Sequence, residues 1–484
     1  MPVRLNQPLS TSPNADEQAM LANLQGNILK GHGRNRTATI FVRIKRGKST
    51  QARAFFKKYA AQKVMSAADQ LTAAAIFRKN PNSRDALVTR TFVTIVFSNS
   101  GYAALKVAPA STPADAAFVA GLKARGPLLN DPPKDNWHVG YRGDLHAMIL
   151  IGGPADTPTS EKSTLVENEI AALVALAPAS AITFVGMERG RGYDNVNNDG
   201  VEHFGYVDGR SQPLLLEADV TRERQVIEPG PMKWDPAFPL AQVLVKDPAV
   251  SDPNVFGSYF VFRKLEQNVK GFKAAKAGLQ LRLEALATAA GKVFPAELAG
   301  AMIVGRFEDG TPVVTQSAGG LISPVRNNFG FDADPNALKC PFGSHIRKTN
   351  PRGDTALIFG VPLSSERDHI MARRGITYGK RKQTGGQFQD APTSRVGLLF
   401  MAYQADLQNQ FEFTQGSWAN NEGFLQSGTG TDPLIGQGGI SAQEHPAGWN
   451  DAAAPKDSSL FANFVSMKGG EYFFSPSLAF FAQL

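Results

Sequence analysis

Two short segments carry most of the reactive side chains in this chain. The first spans residues 203–213 and reads HFGYVDGRSQP. It places Asp208 beside a glycine and close to Arg210, where the backbone can approach a bound molecule closely. The G-x-x-D-G pattern alone is weak evidence, because a turn aspartate more often caps its own backbone. Asp208 is therefore a candidate acid–base group that needs support from elsewhere in the chain.

The second segment spans residues 340–352 and reads CPFGSHIRKTNPR. It surrounds His345 with Arg347, Lys348 and Arg352, in a chain with 7 histidines. Cationic neighbours favour the neutral imidazole that binds metals, and they suit an anionic cofactor such as haem with its propionates. A lone histidine is more often a hydrogen-bonded structural residue, so both interpretations stay open at this point.

Several common chemistries are excluded by the absence of their patterns from the sequence. It contains no G-x-x-x-x-G-K-[ST], H-E-x-x-H, C-x-x-C or G-x-S-x-G. The single cysteine, Cys340, excludes a disulfide framework and any multi-thiolate metal site. Cys340 is a rival thiolate ligand, but its context favours a small buried residue.

The two segments, in this order, resemble the motifs of the dye-decolorizing peroxidase family of haem proteins. The stretches RRGITYG at 373–379 and GLLF at 397–400 extend the resemblance. The N-terminal QGNIL at 25–29 is similar to the family's opening motif, so the likeness covers nearly the whole chain. These motifs occur in the same order in this chain and in the family, which is difficult to explain by chance.

The resemblance implies a role for each matching residue. Asp208 corresponds to the distal acid–base residue, Arg373 to the distal arginine, and His345 to the proximal iron ligand. Further matches concern cofactor binding: Leu398 and Phe400 correspond to residues that line the distal pocket, and Arg347 and Arg352 to partners of the haem propionates. Aspartate ionises at lower pH than histidine, so an aspartate base predicts an acidic activity optimum.

Two supporting residues are also expected. A proximal histidine usually donates its second N–H to a carboxylate. We expect Asp406 to be that partner, with Glu412 as the second choice, although Asp406 also fits a helix N-cap. Tyr378 matches a position that is associated with surface radicals in some relatives, which implies electron transfer from bulky dyes at the surface.

The resemblance implies a peroxidase that contains one haem b per chain. It would reduce hydrogen peroxide and oxidise dyes, phenols and other aromatic donors by one-electron steps through a ferryl intermediate. A haem-binding protein for storage, sensing or iron release is the alternative, and a cofactor-free structural protein is a third possibility. The pair of Asp208 and Arg373 favours the enzyme, because carriage alone would not need both.

The elements that must position these residues occur in two similar series. The first half contains strand candidates at 38–44, 91–97, 146–151 and 181–187, and the second at 258–263, 396–403 and 471–474. Helix candidates include one with apolar Ala52, Phe55, Phe56 and Tyr59, and others at 161–176 and 269–290. We equate strand 396–403 with strand 91–97.

This order predicts an α+β fold of two ferredoxin-like domains, each a βαββαβ unit with an antiparallel sheet and peripheral helices. We assign residues 1–200 to the N-terminal domain and 201–484 to the C-terminal domain. The resemblance places the haem in the C-terminal domain.

Charge and hydropathy limit the partners. The net charge of +8 is spread over 484 residues, which favours a solvated surface over a nucleic-acid site. The longest uncharged stretch is divided at Pro178, so we expect no membrane span. The N-terminus lacks an apolar signal region, so cytoplasmic residence and leaderless secretion both fit. We expect a monomer or a homodimer.

Overall fold

Eight runs of apolar and β-branched residues form the strands at the centre of the molecule. The computed structural model describes residues 2–157, 160–320, 324–439 and 441–484. The central strands are β1 (Arg36–Ile44), β2 (Phe92–Phe97), β3 (Ala147–Gly153), β4 (Ile182–Arg191), β5 (Phe256–Gln267), β6 (Ile376–Tyr378), β7 (Gly397–Gln404) and β8 (Val465–Ser475).

Each half of the chain builds a four-stranded antiparallel unit. The N-terminal strands lie in the order β2–β3–β1–β4, and the C-terminal strands lie in the order β8–β5–β7–β6. Both orders are those of a ferredoxin-like unit, in which the first and third strands lie side by side at the centre. The predicted fold class is confirmed.

The two units share one closed barrel instead of standing apart as separate sandwiches. Strand β2 meets β8 through the pair Phe97 and Phe474, and β4 meets β6 through Gly190 and Tyr378. Across the barrel, the rings of Phe41 on β1 and Phe262 on β5 lie 5.0 Å apart. Closure leaves neither sheet with a free long edge.

Helices cover the barrel and build a second apolar layer. The principal ones are α1 (Ser49–Lys63), α2 (Thr164–Leu176), α3 (Val269–Ala289), α4 (Leu298–Val304) and α5 (His345–Thr349). The four apolar residues predicted for α1 are all buried. Helices α3 and α4 form a separate apolar cluster with the loops of the C-terminal half.

The remaining elements are short, apart from the helix Ala67–Lys79 with 13 residues. Further helices are Ala15–Asn23, Ala67–Lys79, Ala86–Thr89, Asn99–Ala104, Ala116–Ala120, Leu122–Arg125, Val139–Arg142, Glu217–Arg222, Asp354–Phe359, Leu363–Asp368 and Leu478–Gln483. Strands Val245–Lys246 and Ala372–Arg373 pair with β5 and β7, and small hairpins join Tyr193–Asp194 to Gly200–Val201, Gln383–Thr384 to Gln387–Phe388, and Gln443–Pro446 to Lys456–Ser459. In the described ranges, none of the helices has the length and apolarity to span a bilayer.

One assignment in the second half is wrong. The strand at 396–403 does not correspond to the one at 91–97, because β6 occupies the second position of the C-terminal unit and β7 the third. Strand β7 is therefore the counterpart of β3. Strand β6 has only three residues, which is too short for a recognisable period-2 pattern.

Candidate active site

A large cavity lies against the outer face of the C-terminal sheet. Strand residues alternate between the two faces of a sheet, so Arg263 and Leu265 of β5 and Leu398 and Phe400 of β7 face the cavity. Loops of the C-terminal half complete the walls. The cavity encloses about 1640 Å³, including its solvent-filled mouth.

Five of the predicted site residues line this cavity, although they come from four separate segments: Asp208, His345, Arg373, Leu398 and Phe400. Nη1 of Arg373 donates a hydrogen bond to Oδ1 of Asp208 at 3.3 Å. The two side chains are 35% and 39% exposed, so the pair remains accessible to a small molecule.

Backbone contacts hold the Asp208–Arg373 pair in place. The backbone N–H of Arg373 donates to Oε1 of Gln212 at 2.9 Å. Arg373 also lies in a two-residue strand that pairs with β7, where it is opposite Ala402. Oδ1 of Asp208 accepts the N–H of Gly209 at 2.6 Å. These contacts position the backbone of Arg373 and the carboxylate of Asp208.

His345 begins helix α5 and is oriented by a buried carboxylate. Its Nδ1 lies 2.9 Å from Oδ2 and 3.1 Å from Oδ1 of Asp432, whose side chain is fully buried. Burial disfavours the charged imidazole, but the charge and hydrogen bond of Asp432 outweigh it and raise the pKa of His345. The Nδ1 contact leaves Nε2 as the ring nitrogen available on the cavity side.

The predicted partner of His345 is wrong. Asp406 caps the following helical turn, where its Oδ1 accepts the N–H of Asn409 at 2.8 Å. The second choice, Glu412, accepts hydrogen bonds from Arg125 and from the hydroxyl of Tyr472. The structure places Asp432 in this role instead, 87 positions beyond His345. The length of the Gly-rich stretch around residue 432 is the only signal that the sequence offers for it.

The assignment of Arg347 to a propionate is also wrong. Arg347 is fully buried, and all five of its N–H donors are occupied. The acceptors are the carboxylates of Asp334 and Asp354 and the carbonyls of Asp334 and Cys340. Nothing remains to bind a cofactor. Cys340 beside it is buried as expected, and burial raises the pKa of its thiol to about 12.

Arg352 does not line the cavity. Arg306 does, although no sequence motif indicates it. Arg352 is buried and donates to the carbonyl of Phe329 and to both oxygens of Asn327. Arg306 lines the cavity and has no carboxylate within salt-bridge distance among the residues that the structure describes. Arg306 donates at 2.7 Å to the carbonyls of Gly310 and Arg326, which solvate its charge without neutralising it, and burial lowers its pKa to about 9.

The proposed surface position of Tyr378 is wrong. Tyr378 is only 6% exposed, because β6 places it at the closing edge of the barrel. The ammonium group of Lys264 lies 4.7 Å from the centre of its ring. A bulky dye cannot contact this side chain.

The cavity has the donor set that a haem requires. Haem brings four nitrogens of its own, so a single axial imidazole suffices, and Nε2 of His345 is available. In the described parts of the chain, His, Cys, Asp and Glu side chains form no cluster of three or more that could hold a metal alone. Arg306 offers charge to propionates, and Phe204, Val304 and Leu434 provide apolar walls.

Comparison with known proteins places this geometry among related chains. The family model described as the DyP dimeric alpha+beta barrel domain matches residues 23–186. The chain is 44% identical to the multifunctional dye peroxidase DyP2 of Amycolatopsis sp., with all of both sequences covered. The solved structure of DyP2 from that organism matches with a TM-score of 0.90 and 42% identity over all of both chains. A DyP-type peroxidase from Anabaena sp. matches with a TM-score of 0.87 and 36% identity, covering 98% of this chain and 96% of that one.

Proposed function

Because the chain belongs to the dye-decolorizing peroxidase family, and is thus an oxidoreductase that uses peroxide to oxidise dyes, we propose how its cavity performs that reaction. His345 would hold one haem b per chain in the cavity, where the haem would supply redox chemistry, and Asp208 and Arg373 would act on the peroxide. Phenols and other aromatic donors are further substrates.

The convergence of three groups on one cavity carries this proposal. A carboxylate, a guanidinium and an imidazole oriented by a buried aspartate all line the same walls. A protein that only stored or sensed haem would need the imidazole but not the Asp208–Arg373 pair.

Of the residues that would hold the cofactor, His345 is the one expected from its motif, whereas the propionate partner differs. His345 supplies Nε2, and Arg306 supplies positive charge at the cavity wall. Arg352 is linked to Arg306 through shared acceptors, because both side chains donate to Oδ1 of Asn327 and to the hydroxyl of Ser211. When bound, haem supplies an iron that exchanges electrons with peroxide and with aromatic donors.

Asp208 moves the proton during peroxide cleavage. Its carboxylate takes a proton from one peroxide oxygen and returns it to the other, which leaves as water. Arg373 cannot lose its proton, and its fixed donors stabilise the negative charge that develops as the O–O bond breaks. In total, one hydrogen peroxide and two phenols give two waters and two phenoxyl radicals.

The test separates cofactor binding from peroxide cleavage. Asp208→Asn and Arg373→Leu should retain haem but slow the spectral change on mixing with one equivalent of hydrogen peroxide. We expect losses of about 10²- to 10³-fold for Arg373→Leu and at least about 10²-fold for Asp208→Asn. His345→Ala should fail to retain haem. Stopped-flow absorption and pyridine haemochrome content measure the two effects.

Asp135→Asn is the matched control, because Asp135 is exposed and lies outside the cavity. It should leave both measurements unchanged. Wild-type rates in Asp208→Asn and Arg373→Leu would refute the proposed roles, and full haem retention in His345→Ala would refute the axial ligand.

A further inference from the structure

A second cavity shares Asp208, Gly209 and Arg373 with the first. Its remaining walls come from the N-terminal segment 27–35 and from residues 212–219 and 374–376. It encloses about 1270 Å³, including its open mouth. The peroxide-cleaving pair therefore forms part of the wall of two separate spaces, and the second has no role in the proposed reaction.

Two guanidinium groups in this second cavity lack an anionic partner among the described residues. Arg34 donates through Nη2 to the carbonyls of Val88 and Arg90, while its Nε is buried without a hydrogen bond. Arg374 donates at 2.8–2.9 Å to three carbonyls, those of Asn27, Ile28 and Arg373. Carbonyl oxygens solvate a cation but do not neutralise it.

The other charged residues of the cavity do not change this balance. Lys30 pairs with Asp219, and Arg373 contacts Asp208. Four cations thus face two carboxylates in the cavity lining, which leaves a net charge of 4 − 2 = +2.

The imidazole of His32 lies beside these guanidinium groups and does not add to their charge. Its Nδ1 accepts the N–H of Arg34 at 2.9 Å, and its ring stacks on Phe92. Burial, followed by repulsion from Arg34 and Arg374, lowers the pKa of His32 to about 3. His32 is therefore neutral and adds no charge to the cavity lining.

The shape of the cavity fits an organic anion better than an inorganic one. Gly31, Gly33 and Gly209 line it without side chains, and a Cβ at Gly33 or Gly209 would meet no atom within 4 Å. Apolar surface from Leu214 and Ile376 lies in the same cavity, and both residues are partly exposed. An apolar wall with a few cationic groups is typical of sites for small amphipathic ligands.

We propose that the second cavity is a binding site for a small organic carboxylate. Its carboxylate pairs with the guanidinium groups of Arg34 and Arg374, and its apolar part lies against Leu214 and Ile376. Binding of the carboxylate does not depend on the proposed function. Only an influence of the bound carboxylate on peroxide cleavage by Asp208 and Arg373 rests on it. Two sources share this chemistry: an aromatic donor that carries a carboxylate, such as a phenolic acid, or a carboxylate that is not oxidised and acts as an effector.

Calorimetric titration of the haem-loaded protein with 4-methoxybenzoate tests the site without using activity. The neutral 4-methoxybenzyl alcohol should bind at least about tenfold more weakly, because it cannot form the charge-assisted hydrogen bonds. Arg34→Gln should weaken 4-methoxybenzoate binding by about tenfold or more. Arg46→Gln is the matched control, since Arg46 is exposed, carries the same charge and lies outside the cavity.

A second variant keeps the test independent of the structural contacts of Arg34. A Cβ at Gly31 would meet only Cδ of Arg374 at 3.8 Å, and the Gly31 backbone is not left-handed. Gly31→Val should therefore fold normally, fill part of the cavity and weaken binding of the same probe. Equal affinity for the acid and the alcohol, or wild-type affinity in both Arg34→Gln and Gly31→Val, would overturn the proposal.

Steady-state kinetics with two phenolic donors, the acid 4-hydroxybenzoate and the neutral 4-hydroxybenzyl alcohol, distinguish the two sources. A phenolic donor is indicated if Arg34→Gln raises the Michaelis constant for the acid but not that for the alcohol. An effector is indicated if 4-methoxybenzoate changes the Michaelis constant for peroxide while the constant for the phenolic acid is independent of Arg34. Failure of the proposed function alone would appear differently, as 4-methoxybenzoate binding that persists while Asp208→Asn and Arg373→Leu cleave peroxide normally.

Discussion

Asp432 fixes both the orientation and the electron donation of His345. Its carboxylate contacts Nδ1, and its Oδ1 also accepts the N–H groups of Leu434 and Ile435. Interaction with His345 outweighs burial and lowers the pKa of Asp432, so the carboxylate stays charged. A charged acceptor at Nδ1 makes Nε2 a stronger ligand.

Asp432→Asn should therefore raise the reduction potential of the bound iron. The neutral amide lacks the negative charge of Asp432, so the imidazole donates less electron density and stabilises the ferric state less. Haem affinity should also fall, by about 10- to 100-fold. Spectroelectrochemical titration measures the potential, and transfer of haem to a scavenger protein measures the affinity.

Asp406→Asn is the control for this substitution. Asparagine caps a helix about as well as aspartate, so neither the potential nor the stability should change. An unshifted potential in Asp432→Asn, or an equal shift in Asp406→Asn, would contradict the assignment of Asp432.

At the scale of residues, the sequence identifies what lies within a motif and misses what lies across space. Asp208, His345 and Arg373 could be predicted because each stands in a short pattern. Asp432 could not, since a distant loop brings it to His345. Arg347 was misassigned because the sequence shows its charge but not the two carboxylates that neutralise it.

Among the elements, the loop that carries Asp208 is folded around the carboxylate of Glu202. Its oxygens accept the N–H groups of Phe204 at 2.8 Å and Tyr206 at 3.0 Å, and the side-chain amide of Gln267 on β5 at 2.6 Å. Burial raises the pKa of Glu202 to about 7, although these hydrogen bonds act in the opposite direction.

This raised pKa predicts a pH-dependent contribution to stability. The unfolded glutamate loses its proton near pH 4.5, while the folded protein retains it until about pH 7. The folded state therefore binds more protons in this window, and the contribution of Glu202 to stability falls as pH rises through it. Relative to Glu202→Gln, the wild type should lose stability between pH 4.5 and 7 and then level off. Urea unfolding at several pH values measures the difference.

Glu444→Gln serves as the comparison, because Glu444 is 55% exposed and lies in a surface hairpin. Its difference from the wild type should show no comparable slope in this window. A pH-independent difference for Glu202→Gln would show that burial does not hold the proton on Glu202.

Most elements of the barrel could be predicted from apolar periodicity, but β6 could not. A strand of three residues satisfies no periodic template, yet it contributes the pair of Tyr378 and Gly190 that closes one side of the barrel. The surface role of Tyr378 came from the resemblance alone, and the place of Tyr378 in β6 buries its side chain. Local pattern identifies long elements and fails where closure depends on a short one.

For the whole molecule, the sequence predicted two units but not their fusion. Each ferredoxin-like half follows from its own strand order, whereas barrel closure depends on contacts between strands that are far apart in the chain. The cavity depends on this fusion, because its wall is the outer face of β5 and β7 while their inner face packs against the N-terminal half.

Because the two halves share one barrel, we expect a destabilising substitution in one half to increase local unfolding in the other. Phe262→Ala removes the ring that packs against Phe41 across the barrel and should cost about 3–5 kcal/mol. Amide hydrogen exchange should accelerate in β1 and β3 as well as in β5, because the strands open as one cooperative unit. Phe272→Ala is the control: Phe272 is equally buried but stacks on Phe204 in the helical layer. Its exchange should rise around α3 and α4 and leave β1 protected. Exchange that stays within the C-terminal strands of Phe262→Ala would mean that the halves fold independently.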